Sequence, residues 1–394
     1  MDALITHNSM RDNTVWPSPP GELANFHHRM PAYSPTNLLD APLLAQRLGV
    51  RRLLIKAETR RMGLPSFKIL GASWATYRAL CDHLGYEPEP WRNINELAAN
   101  VAHLRPFTLA TATDGNHGRA VAFMARLLGF RARIFVPVGM SDARIGAMEA
   151  EGATVTVVDG DYDDAVARAA KEQSASCLVV SDTSWEGYQD IPNRVIEGYT
   201  TIFNEVDEAI VASGLEMPDA VVIPMGVGAF MASAVTHYRS GQHQPIIIGV
   251  EPRDANCVQE SARHQAITHV PGPHRSIMVG LNCGLPSQIA WPRLASGIDW
   301  FVSVGDDAAC QAMRDLANAA VVAGETGAAS LAGLEALLES EHVDQALPNR
   351  SEATVLIVVT EGATDPAAYE KIVGRRHETV GRVLTAIRSE NEKG

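Results

Sequence analysis

From about residue 107 onward the chain alternates short apolar runs with longer stretches whose apolar positions recur on one side. Phe107-Thr-Leu-Ala-Thr-Ala predicts a strand, and Arg119 to Leu128 a helix after it. Arg133-Ile-Phe-Val-Pro-Val predicts the next strand and Ser141 to Glu151 the next helix. The strand Ala153-Thr-Val-Thr-Val-Val, a helix from Tyr162 to Glu172 and the strand Cys177-Leu-Val-Val-Ser continue the series. Ala220-Val-Val-Ile-Pro, Pro245-Ile-Ile-Ile-Gly-Val, Trp300-Phe-Val-Ser-Val and Thr354-Val-Leu-Ile-Val-Val have the unbroken β-branched character of strands covered on both faces. Strand–helix alternation of this kind implies right-handed crossovers, hence an α/β protein with doubly wound sheets.

The pattern divides into two lobes, one from about 81 to 198 and one from about 218 to 375, with Ile191 to Ala212 expected as one long joining helix. Residues 82–106, with Pro88, Pro90 and Trp91, are expected as an irregular surface insertion. The first 30 residues hold three prolines and no strand signal, and are expected to wrap the surface. The tail from Arg375 carries alternating charges and is expected as a terminal helix or a frayed end.

Charge and composition narrow the function. The chain has 394 residues, and 33 Lys+Arg against 46 Asp+Glu leave a net charge of −13, which would repel a phosphate backbone and excludes a general nucleic-acid binder. Ala220 to Val235 is uncharged but is interrupted by Pro224, Gly226 and Gly228 and is too short to span a membrane. The opening residues show no basic stretch followed by an apolar core, so no secretory signal is expected. Five cysteines (Cys81, Cys177, Cys257, Cys283 and Cys310) without a C-x-x-C spacing point to a reduced, cytoplasmic protein.

In open α/β sheets ligands sit beyond the carboxyl ends of the strands, so residues just after each strand carry the chemistry. Lys68, in Ser66-Phe-Lys-Ile-Leu-Gly-Ala, stands among apolar and small residues near the start of a helix. It is either a surface lysine whose stem covers its neighbours or a desolvated amine that loses its proton easily and suits Schiff-base chemistry. Thr113-Asp-Gly-Asn-His-Gly lies between a strand and a helix. Asp114 there is a helix cap or a functional carboxylate, while Asn116 and His117 would help build an anion cradle. His117 has no second histidine at metal spacing, so no metal site is expected. Pro224-Met-Gly-Val-Gly-Ala-Phe is a glycine loop before a helix, whose backbone N–H groups can close on a phosphate. Glu251, at the end of the next strand, raises a dinucleotide alternative, which Met231 in place of a third small residue weakens. Thr360, in Thr360-Glu-Gly-Ala-Thr-Asp, is a turn hydroxyl or a partner for an aromatic cofactor's ring nitrogen. Asp182, in Ser181-Asp-Thr-Ser-Trp-Glu-Gly-Tyr, is a turn cap or a buried carboxylate.

Together these pieces resemble the fold-type II pyridoxal-phosphate enzymes, the group of tryptophan synthase β and the serine and threonine dehydratases. The resemblance runs from about residue 30 to 375 and is strongest to the diaminopropionate ammonia-lyases. It is carried by Thr113-Asp-Gly-Asn-His-Gly-Arg, Asp182-Thr-Ser-Trp-Glu-Gly-Tyr, Ile277-Met-Val-Gly-Leu-Asn-Cys-Gly, Ala323-Gly-Glu-Thr-Gly-Ala and Thr360-Glu-Gly-Ala-Thr-Asp-Pro. It implies a two-lobed fold with a large cofactor-binding domain (1–80 and 199–394) and a small one (81–198). It also implies that pyridoxal 5'-phosphate is bonded by Lys68, flanked by Phe67, hydrogen-bonded by Asn116, gripped through its phosphate by Gly226, Val227, Gly228 and Ala229, and faced at its ring nitrogen by Thr360. Lys68 and Asp114 would serve as bases for opposite substrate enantiomers, with Asp182 on the β-amino group or supporting Asp114. Thr113, Gly115 and His117 would complete the amino-acid site. The implied reaction is β-elimination of 2,3-diaminopropionate, D or L, to pyruvate and two ammonia; the alternative is a serine or threonine dehydratase, or a lyase for another β-substituted amino acid. A homodimer is implied by the resemblance alone. Ala229 and Leu64-Pro-Ser depart from residues common in relatives, and Cys257 and Cys283 fall in matched regions where pairing is conceivable.

Overall fold

The computed structural model describes residues 3–380; residues 381–394, including the end of the charged tail and of the expected large domain, lie outside the described residues. Among the described residues the strands are β1 (Leu4–His7), β2 (Leu38–Asp40), β3 (Arg52–Ala57), β4 (Thr108–Ala112), β5 (Arg131–Pro137), β6 (Ala153–Val158), β7 (Cys177–Val179), β8 (Ala220–Pro224), β9 (Ile246–Pro252), β10 (Trp300–Val304) and β11 (Thr354–Val359). They form a seven-stranded sheet in the order β1-β10-β9-β8-β11-β3-β2 and a four-stranded sheet in the order β6-β5-β4-β7. The strands run parallel except at the two edges of the larger sheet, where β1 lies antiparallel on β10 and β2 on β3.

Every residue of β8, β10 and β11 is buried, as a sheet covered by helices on both faces requires. The carboxyl ends of β4, β7, β8 and β11 lead into the segments that carry Asp114, Asp182, Gly226 and Thr360. Lys68 instead reaches the cleft from a helix. It stands immediately before the helix Ile69–Leu84, most of whose length is buried. That helix packs against Asp190–Tyr199, and two glycines make the approach possible. A Cβ at Gly198 would lie 2.5 Å from the Leu70 carbonyl oxygen, and one at Gly71 would lie 2.5 Å from the Tyr199 ring. Side chains at both positions must be absent for the lysine-bearing helix to sit where it does.

The local pattern passed over β2 and β3, for which no strand was expected, and failed in three further places. The first 30 residues do not merely wrap the surface: β1 adds to the sheet edge, and the helix Leu23–His28 buries Phe26 fully. A four-residue edge strand is too short to display its alternation. Residues 82–106 are not an irregular surface insertion, because they include the helix Ile94–Asn100 and bury Trp91, whose ring lies 5.7 Å from Phe26 and 3.6 Å from the Arg29 guanidinium carbon. The expected single helix from Ile191 to Ala212 is two, Asp190–Tyr199 and Thr201–Ala212. Thr200 separates them while keeping helical angles (φ −62°, ψ −20°), because its N–H and hydroxyl both donate to the Glu197 carbonyl three residues back, at 3.0 and 2.7 Å.

Gly198→Ala forces its new methyl group into backbone that cannot swing aside. We expect destabilisation of about 2 kcal/mol, read as a lowered midpoint in denaturant unfolding with an unchanged slope.

Candidate functional site

The cleft is bounded by loops whose shapes follow from small residues. Gly115 precedes the helix Asn116–Leu128 with φ +144°, and the Thr113 hydroxyl accepts the N–H groups of Gly115 and Gly118, both at 2.9 Å. A Cβ at Gly118 would lie 2.3 Å from the Thr113 methyl group. Thr113 therefore shapes this turn while it lines the cleft. Across from it, Gly228 adopts φ +93° at the start of the helix Ala229–Ser240, and a Cβ there would strike Leu294 at 2.3 Å. The loop is further held by the Ser287 N–H donating to the Val227 carbonyl at 2.9 Å.

These loops bound a cleft of about 680 Å³, part of it open to solvent. Its walls include Phe67, Lys68, Thr113, Asp114, Asn116, His117, Asp182, Gly226, Val227, Gly228, Ala229 and Thr360, so the structure brings these sequence-chosen positions together. Gly115 supplies the turn beneath them. Glu251 stands apart: it is fully buried and its carboxylate accepts the N–H groups of Val258 and Gln259, at 2.9 and 2.8 Å. It caps the following helix, which removes the support for a dinucleotide site.

Electrostatics in the cleft centre on one amine. Lys68 Nζ donates to Asp182 Oδ2 at 2.8 Å, and Tyr162 donates from its hydroxyl to the other oxygen at 3.3 Å. Burial works to lower the Lys68 pKa, but the charges of Asp182 and Asp114 outweigh it and hold the amine as an ammonium above its ordinary range. The expectation that desolvation alone would ease proton loss is corrected by this pairing. Burial likewise opposes ionisation of Asp182, yet the neighbouring His117 ring and Lys68 keep its carboxyl below the usual range. Asp114 behaves differently. Burial pushes it up to about 6, the nearby Lys68 charge pulls down, and Asp182 adds repulsion. Two carboxylates around one ammonium thus titrate far apart. Nε2 of His117 lies 2.8 Å from the Val180 carbonyl and donates to it, which leaves Nδ1 buried without a hydrogen-bond partner, 3.9 Å from Asp182.

Other wall residues escaped the sequence reading. Tyr162 opens a predicted helix, and nothing local distinguishes it from a core tyrosine. Gly280, Leu281 and Cys283 come from the run Ile277-Met-Val-Gly-Leu-Asn-Cys-Gly, and Thr326 from Ala323-Gly-Glu-Thr-Gly-Ala. Glu361 follows Thr360 directly, and Phe230 meets Phe67 with ring centres 4.4 Å apart. Cys257 and Cys283 do not pair; both are buried free thiols, pushed up by burial. Among the described residues no group of three or more His, Cys, Asp or Glu side chains is placed to hold a metal ion.

Residues 29–361 match the family model described as pyridoxal-phosphate dependent enzyme. The chain belongs to this family. Among curated relatives, the diaminopropionate ammonia-lyase of Salmonella typhimurium is 36% identical over 374 residues, covering 89% of this chain and 91% of the relative. That of Escherichia coli strain K12 is 35% identical over 362 residues, covering 88% and 89%. The holo crystal structure of the Escherichia coli diaminopropionate ammonia-lyase superimposes with a TM-score of 0.86 at 32% identity, covering 94% of this chain and 96% of the other. The same enzyme in complex with D-serine gives 0.85. Tomato threonine deaminase shares the fold, with a TM-score of 0.70 at 21% identity.

As a pyridoxal-phosphate-dependent enzyme of fold type II, the chain must offer an amine, a phosphate cradle and a partner for the ring. The cleft fits on each count. Lys68 Nζ stands at its wall, Gly228 keeps open the start of a helix where backbone N–H groups favour an anion, and the Thr360 hydroxyl is buried with no protein hydrogen-bond partner.

Thr113→Val keeps the shape of the residue but strips the acceptor shared by two buried N–H groups. We expect a loss of about 2 kcal/mol, measured by chemical denaturation; an unchanged midpoint would show that the turn holds without it.

Proposed function

We propose that the chain eliminates ammonia from 2,3-diaminopropionate, releasing 2-aminoacrylate that hydrolyses to pyruvate and a second ammonia. The observation that carries it is the placement of Lys68, Asp114 and Asp182 on one cleft, with the two carboxyls held at widely different acidities. The 36% identity to a diaminopropionate ammonia-lyase along nine-tenths of both chains supports the substrate.

When bound, the cofactor supplies an electron sink for the pair left on Cα as its proton departs. Lys68 is its attachment point, flanked by Phe67; Gly226, Val227, Gly228 and Ala229 hold its phosphate; Asn116 hydrogen-bonds its ring oxygen and Thr360 faces its ring nitrogen. A neutral hydroxyl at that position leaves the nitrogen unprotonated. While Lys68 holds the cofactor its nitrogen is no longer the free ammonium that pairs with Asp182, so this carboxylate is left to receive the substrate's β-ammonium. Acting as the neutral amine, Lys68 would remove the Cα proton of one enantiomer, and Asp114, whose carboxyl is pushed up to about 6 by burial, would remove that of the other when ionised. The turn Thr113–Gly115 and His117 complete the amino-acid site. The enzyme works as a homodimer in the cytoplasm, with residues 81–198 as the small domain and 1–80 with 199–394 as the large one. The unpaired cysteines fit a reducing compartment, and no helix among the described residues is long and apolar enough to cross a membrane.

Asp114→Asn is expected to lower turnover of D-2,3-diaminopropionate by about two orders of magnitude, the contribution of one positioned base, while the L form keeps appreciable activity. Equal loss on both enantiomers refutes the two-base assignment. A base must be unprotonated, so the wild-type kcat/KM for the D form should fall as pH drops through about 6, and this limb should vanish in the variant. Pyruvate or 2-oxobutyrate formed faster from serine or threonine than from diaminopropionate would favour a dehydratase instead.

The purified chain should be yellow, and borohydride should bleach it and fix the cofactor to the peptide bearing Lys68. Lys68→Ala should take up cofactor without that fixation; fixation to another peptide would displace Lys68 from its role.

A further inference from the structure

The cleft contains a buried carboxylate to which the chemistry above gives no task. Glu361 follows β11, is 1% exposed and lines the cleft. One of its carboxylate oxygens accepts a hydrogen bond from the Asn116 side-chain amide. The other accepts the backbone N–H of Thr326, at 3.3 Å, in the first turn of the helix Glu325–Leu338. Its backbone also forms an isolated antiparallel bridge with Ser66, two residues before Lys68.

The neighbouring sequence is built around this residue. A Cβ at Gly324 would lie 2.9 Å from the Glu361 carboxylate and 2.4 Å from the Gly362 carbonyl oxygen, and one at Gly327 would lie 2.5 Å from the Glu361 carbonyl oxygen. The two glycines of Ala323-Gly-Glu-Thr-Gly-Ala therefore let the helix start close enough for the Thr326 N–H to reach the carboxylate. Burial pushes the adjacent Glu325 up to about 7, with the charge of Glu361 adding to the rise.

A carboxylate can only accept, so the nitrogen of the Asn116 amide must face Glu361 and its oxygen must face away. Left alone, a side-chain amide can turn over and present either end to a ligand. We propose that Glu361 is a positioning residue that fixes the Asn116 amide for pyridoxal phosphate, and that it does so across the two sheets, since Asn116 follows β4 and Glu361 follows β11. The assignment rests on Asn116 holding the cofactor, as in the function proposed above. Glu361 touches Asn116 through one carboxylate oxygen, is itself held by the N–H of Thr326 through the other, and is tied by backbone to the loop that carries Lys68. Two of the groups on the cofactor, Asn116 and Lys68, are therefore referenced to the same residue.

The test replaces Glu361 by Gln in the holoenzyme. With the Thr326 N–H kept on the remaining oxygen, the new amide nitrogen meets the Asn116 nitrogen, donor against donor, and Asn116 must turn or withdraw. We expect the dissociation constant for pyridoxal phosphate to rise about tenfold, the loss of one hydrogen bond to a charged group. The visible absorption band and its pH titration should shift with it. Asn116→Ala should shift the band by itself, and adding E361Q to it should produce no further change. A merely structural role for Glu361 predicts a lower melting temperature with an unmoved band, and that result overturns the assignment, as does full additivity in the double variant. If E361Q does not fold, E361D decides in its place: it keeps the charge but draws it back by one methylene, so a shifted band supports the assignment and a wild-type band overturns it. Failure of the wild-type chain to take up pyridoxal phosphate would instead remove the cofactor site on which this rests.

Discussion

One ammonium shared by two carboxylates in a desolvated cleft is the constraint from which the site's chemistry follows. Lys68 makes its hydrogen bond to Asp182, at 2.8 Å, and its charge reaches Asp114 as well. A buried ion pair survives only when its partners are satisfied by further hydrogen bonds, and Tyr162 supplies one to Asp182. The second carboxylate receives no comparable support, so burial leaves Asp114 near 6 while Asp182 stays ionised. Similar side chains acquire different roles because one is paired and the other is not.

The fold meets this constraint through backbone proximity. The Lys68 amine can reach Asp182 only because the helix Ile69–Leu84 lies against Asp190–Tyr199 with glycine on both surfaces. The anion cradle opposite depends on Gly228 in a left-handed conformation against Leu294, and the Asp114 turn on Gly118 against Thr113. In each case the chemically active residue is ordinary, and the residue that makes it active is a neighbouring glycine. The same holds for Glu361, whose carboxylate meets a helix start through Gly324 and Gly327.

Much of the sheet was legible because parallel strands buried on both faces announce themselves as β-branched runs. β8, β10 and β11 fall where those runs stand. The edge strands β1 and β2 were not legible, since three or four residues on a sheet edge carry no periodicity, and neither was β3, whose apolar run is only Leu53-Leu-Ile before the buried Lys56. Trp91 looked like part of a loop because its burial depends on Phe26 and Arg29, some sixty positions earlier. The break at Thr200 needed the hydrogen bonds to Glu197, which residue type alone does not reveal.

By itself the sequence determined the strand–helix alternation, the positions of Lys68, Asp114, Asn116, the glycine loop and Thr360, and the resemblance that names the cofactor, because each is written in contiguous residues. Only the tertiary structure decided that Lys68 is paired rather than merely desolvated, that Glu251 caps a helix, and that Tyr162, Cys283 and Glu361 face the same cleft. Those facts depend on distances between segments tens to hundreds of residues apart, and local residue pattern holds no record of such distances.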